Sequence, residues 1–163
     1  MTQARPPASR ARVGFALTCL AVCLAVVLAA TLSPTPLDQG YQGAIDKLLG
    51  VLHRQGVPEW FGYGKLEFSA NIVMFVPIGF LVALLLPAPV WWISLLLCPA
   101  LSVSIELTQG ALLSARFASG ADVAANTVGG VVGILIAVLL RAAVYERDRK
   151  IIARALWEHA VKP

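Results

Sequence analysis

The stretch RFASGADVAANTVGGVVGILIAVLL, residues 116–140, decides how the chain is read. Eighteen residues within it, Val123 to Leu140, carry no charge. A membrane-crossing helix needs about 20 consecutive apolar residues, so 122–140 reads as one span. At its head, Asp122 and Asn126 stand four apart and share one side of the helix. The stripe beneath them continues through Gly129 and Gly133, with Gly130 widening it. Small residues at this spacing let two helices approach closely inside a bilayer. That face therefore meets another helix rather than lipid, and the polar pair above it points into a protein interior.

The rest of the chain supplies the neighbours. Of 163 residues, 58% are hydrophobic and 13% charged, and the mean hydropathy is +0.78. A soluble domain carries about 25% charged residues, so too few are present here to cover a water-facing surface. Three further apolar runs complete the pattern. The expectation is a single-domain, all-α bundle over 1–163, with four transmembrane spans at about 13–32, 68–86, 90–113 and 122–140. A cleaved signal peptide competes for the first run, but its apolar core should be about 7–15 residues long before a small-x-small site. Twenty uncharged residues, Val13 to Leu32, with only a poor site at Ala29-Ala30-Thr31, favour an uncleaved span. Pro34 and Pro36 stop it, because proline lacks the amide donor and restrains its predecessor. Pro77 predicts a kink in the second span, and Pro87-Ala88-Pro89 a tight turn into the third.

Between the first two spans, Ile45, Leu48, Leu49 and Leu52 fall at i, i+3, i+4 and i+7. This predicts a short amphipathic helix at about 43–54, lying on the bilayer or capping the bundle. Trp60, Phe61 and Tyr63 then mark a membrane interface. The flank before the first span holds three cations and no acid, and the tail 141–163 holds six cations against three acids. Cations collect on the cytoplasmic side, which places both termini there and the amphipathic helix outside. The cations are explained by topology, and nothing points to nucleic acid.

In this topology the start of span two, the end of span three and the start of span four share the outer face. Taking Val90 as the inner end, Glu106 lies roughly 24 Å along a core about 30 Å thick. Asn71 and Asn126 lie about one turn inside their own outer ends. Glu67 and Asn71 are i, i+4, and Glu106 and Gln109 are i, i+3, so each pair projects from one side of its helix. Glu67, Asn71, Glu106, Gln109, Arg116, Asp122 and Asn126 are therefore the candidate binding residues of an outer polar pocket. A plainer reading is that they only tie helices together, since polar ties in spans are common. Cys19, Cys23 and Cys98 sit among apolar residues and read as small hydrophobes, without disulfide or metal spacing. No cofactor or metal motif is present in the sequence.

At these residues the chain resembles the VanZ-like family of small bacterial membrane proteins, over roughly 34–140 and best over 65–133. One block is Glu67-x3-Asn71-x3-Phe75-x-Pro77-x-Gly79. The other is Glu106-x2-Gln109 followed by Arg116-x5-Asp122-x3-Asn126-x2-Gly129-x3-Gly133. Ser119 stands where the family commonly has the first of two acids, and Glu67 replaces the more usual Asp. The missing acid counts against a two-acid metal site. The family's namesake is associated with resistance to the glycopeptide teicoplanin, so the resemblance implies a cell-envelope role without naming a reaction.

Three kinds of function fit. The first is a binding module that holds a membrane lipid headgroup or a lipid-linked envelope precursor, with Arg116 meeting phosphate or carboxylate, the amides hydrogen-bonding, and the helix at 43–54 as a lid. The second is a membrane enzyme with Glu106 as general acid and Asp122 or Glu67 as base. Against it stand the lack of a P-loop, of Cys/His metal spacing and of G-x-S-x-G. The only histidines are His53, on the amphipathic helix, and His159, in the tail. The third is a structural or assembly partner using the glycine face and the basic tail. Oligomeric state is left open.

Overall fold

The computed structural model describes residues 10–31, 40–112 and 119–161. Arg116 and the stop at Pro34 and Pro36 lie outside the described residues. The elements run α1 (Arg10–Thr31), α2 (Gln42–Arg54), α3 (Tyr63–Leu85), a 3₁₀ segment (Ala88–Ile93), α4 (Ser94–Leu112) and α5 (Gly120–Val161). No strand occurs among the described residues. Four segments are long and apolar enough to cross a membrane: α1, α3, Ala88–Ala111 and α5. Their outer faces carry exposed Phe15, Val26, Val73, Leu96, Leu107 and Leu139. Lipid is the solvent that such a surface needs, and the fold is that of a multi-pass membrane protein.

The element boundaries have local causes. α2 ends in a Schellman motif: Gly56 has φ 96°, its amide donates to the His53 carbonyl, and the Val57 amide reaches back to Leu52, each at 3.1 Å. His53 Nε2 lies 3.1 Å from the Phe61 carbonyl, which ties the helix end to the following loop. α3 starts at Tyr63, five residues before the apolar run, after Gly62 in an extended conformation. It stays helical through Pro77 and stops at Leu86, the residue before Pro87. The third crossing departs from the expected tight turn. Ala88–Ile93 is 3₁₀, with Val90 off helical values (φ −117°, ψ 16°). Pro87 and Pro89 lack amide donors, so regular α-helix begins only at Ser94.

Packing centres on the glycines. A Cβ on Gly129 would strike the carbonyl of Ile72, one on Gly133 that of Val76, and one on Gly79 that of Gly130. Backbone thus lies on backbone where α3 and α5 run parallel, and the glycine Cα hydrogens point at carbonyl oxygens. α4 runs antiparallel to α5 behind a ridge of small buried residues, Ser94, Cys98 and Ser102. The Cys98 side chain fills the space beside Gly130. α1 lies against α3, with Val27 buried beside Phe75, Ile78 and Ile105.

Candidate functional site

The glycine-locked pair and the α4 ridge set the register of the polar end. Moving up α4 by four residues at a time, Cys98 meets Gly130, Ser102 meets Asn126, and Glu106 reaches Ser119. Asn126 Nδ2 donates to Ser102 Oγ at 3.0 Å, with Asn126 4% exposed and Ser102 fully buried. Glu106 Oε2 accepts the Ser119 amide at 2.8 Å. From the other side, Asn71 Nδ2 on α3 donates to Asp122 Oδ1 at 2.9 Å. Gln109 Nε2 donates to the Thr31 carbonyl at 2.6 Å. Thr31 ends α1, where the last carbonyls have no partner within the helix.

These groups surround a cavity of about 290 Å³. Glu67, Asn71, Glu106, Gln109, Asp122 and Asn126 all line it, with Ala70, Met74 and Ile105 as apolar wall. Ile45 of α2 and Tyr63 stand at its edge. Six of the seven residues singled out in the sequence are thus brought together, and the seventh, Arg116, is outside the described residues. No Lys, Arg or His is among the described lining residues. Lys65 stacks its ammonium 4.7 Å from the centre of the Trp60 ring. His53 is turned to Phe61, and His159 is exposed near the end of α5.

Asn126 Oδ1 is buried and has no hydrogen-bond partner among the described residues. Among the described residues, no three His, Cys, Asp or Glu side chains converge as a metal ion would require. A model of the VanZ/LLP1 family matches residues 15–141. The chain belongs to that family. No curated protein and no solved structure gives a significant match. The matched range of this VanZ/LLP1 protein takes in all four crossings and ends at Arg141.

Sequence reasoning missed two of the groups that hold this polar end together. Ser102 was signalled by its place four residues on from Cys98 and four before Glu106, a small-residue ridge matching the glycines opposite. The Thr31 carbonyl had no side-chain signal, since it acts as the open end of a helix. Ser119, which stands in the place of an acid, is the N-cap of α5. Its carbonyl accepts the first helical bonds, from Asp122 and Val123, and its Oγ lies 3.4 Å from the Asp122 amide. Serine and aspartate cap helices about equally well, so the exchange preserves the start of α5.

Proposed function

We propose that this VanZ/LLP1 member is an envelope protein of the bacterial inner membrane that holds the polar part of a lipid or lipid-linked precursor in the cavity above Asn126. The observation that carries the reading is the unsatisfied Asn126 Oδ1 in a residue 4% exposed at the wall of a roughly 290 Å³ cavity. A buried unpaired polar group costs about 1–3 kcal/mol. A ligand group that bonds to it recovers that loss. We place the cavity at the outer face, with both termini in the cytoplasm, on the cation excess of the tail. In this reading α2 lies beside the entrance, where its Ile45 joins the lining. A link to glycopeptide resistance would be the envelope-level consequence of such binding.

The test is to fill the cavity. Ala70 lines it on the exposed side of α3, so Ala70→Phe adds a ring without breaking any hydrogen bond of the site. Native mass spectrometry of the purified protein should show a defined lipid on wild type and its loss from Ala70→Phe, with thermal stability unchanged. The same lipids in the same amounts on both proteins would refute the reading.

A further inference from the structure

We infer that Arg141, at the opposite end of the bundle from Asn126, receives a phosphate group, as carried by an anionic phospholipid headgroup or by free phosphate. This site is separate from the cavity above Asn126, since fifteen residues of α5, about 22 Å of helix, lie between the two. Depth comes first. α3 stops at Leu86, and the chain turns back through Ala88 into the third crossing. Such a turn marks one boundary of the bilayer. Arg141 is level with it, because Nη2 donates to the carbonyls of Leu84 and Leu86 at 2.6 and 2.7 Å. Lipid phosphates lie at this depth, just outside the hydrocarbon core.

The two bonds hold the guanidinium but leave its charge unanswered. Both acceptors are neutral carbonyls that the end of a helix leaves open. Among the described residues, no ion pair includes Arg141, and Nη1 is buried with no hydrogen-bond partner. The fork of a guanidinium matches the geometry of phosphate, and Nη2 is the arm already engaged. A cavity of about 610 Å³ adjoins it, with Leu84, Ala88, Leu140 and Val144 as apolar wall. The side chain is partly exposed where it lines this cavity, and a small turn of its flexible stem presents Nη1 to an anion there. Tyr145, four residues on and so on the same side of α5, adds a phenolic hydroxyl to the lining. Apolar carbon on the walls and one cation at the end suit the glycerol and phosphate of a lipid. Asp148 is the one acid in the described lining; it stands two turns from Arg141 and lies 3.8 Å from Arg147. Lys150 and Arg154 are on the far side of α5 from Arg141, at about 100° per residue, so their attraction to lipid can be tested separately.

The experiment uses the full chain in nanodiscs of phosphatidylcholine containing a small fraction of phosphatidylglycerol, with retained lipid counted by native mass spectrometry. Wild type should enrich phosphatidylglycerol over its share of the disc by about fivefold, the ratio that one cation at an anionic membrane surface supplies. Arg141→Gln should bring the ratio towards unity. Because that change also frees two carbonyls of α3, Val144→Trp is the second variant. It fills the cavity from a partly exposed position and leaves both carbonyl bonds in place, so it should abolish the enrichment at an unchanged unfolding midpoint. Lys150→Gln combined with Arg154→Gln should leave the enrichment as it is. Inorganic phosphate that displaces the lipid would identify a soluble phosphate as the occupant, and failure to displace it would identify the headgroup. Enrichment that survives Val144→Trp, or that falls with Lys150 and Arg154, would overturn the site, the second by showing diffuse attraction to the tail. Lack of enrichment by wild type would overturn it as well.

Discussion

Ser119 shows how much one residue decides at this end of the protein. Its carbonyl accepts the first bonds of α5, and its amide is received by Glu106. Because the Oγ–amide distance of 3.4 Å is long for a cap, Ser119→Ala should cost about 0.5–1 kcal/mol, the lower part of the range for N-caps. Ser119→Asp should restore most of that. Thermal unfolding of the three proteins in one detergent checks the order, and an alanine variant as stable as wild type would deny the cap. The co-location of Asn71, Glu106, Asp122 and Asn126 was legible from sequence, because helical rise fixes depth once the spans are known. Their individual partners were not. That Asn126 meets Ser102, or Gln109 the end of α1, depends on how helices turn about their axes, which hydropathy does not encode.

At the scale of elements, helices close one another's ends. Gln109 of α4 bonds the last carbonyl of α1, and Glu106 receives the amide that begins α5. Arg141 of α5, which in sequence looks like the first cation of the tail, donates through Nη2 to the carbonyls of Leu84 and Leu86 at the end of α3. Hydrogen bonds between spans contribute only about 0.6 kcal/mol each on average, so these ties orient the helices more than they stabilise the bundle. The glycine contact is the stronger constraint. Gly133→Leu drives a side chain into the Val76 backbone and should destabilise by about 3 kcal/mol or more, since overpacking a filled interface commonly costs 1–3 kcal/mol. Gly14→Leu, on a face of α1 with open space around it, should be silent. Equal unfolding midpoints for the two variants would contradict the packing of α3 on α5. The small-residue face was readable from the sequence, but its partner was not: α3 and α4 were equally available.

At the scale of the whole molecule, α5 has 42 residues and so runs about 63 Å, roughly twice the thickness of a bilayer core. Its far half is exposed and charged, and surface ion pairs such as Arg154–Glu158 at 3.3 Å lie along it. One uninterrupted helix therefore connects the cavity to the basic tail. Four crossings return the chain to the side on which it began. The proposed topology, with both ends inside, predicts that cysteine placed at Glu59 reacts with an impermeant maleimide added to whole cells and that cysteine placed at Lys150 reacts only after the cells are opened. The reverse pattern would invert the topology and move the cavity to the inner face.

The pairing of α3 with α5 across α4 also orders events during synthesis. α3 leaves the ribosome before the backbone it packs against, which is made only after α4. Until α5 arrives, Asn71 lacks Asp122, Ser102 lacks Asn126, and Glu106 lacks the Ser119 amide. An unfinished copy is thus marked by polar groups facing lipid in the middle of its chain. Those groups find their partners only when α5 docks.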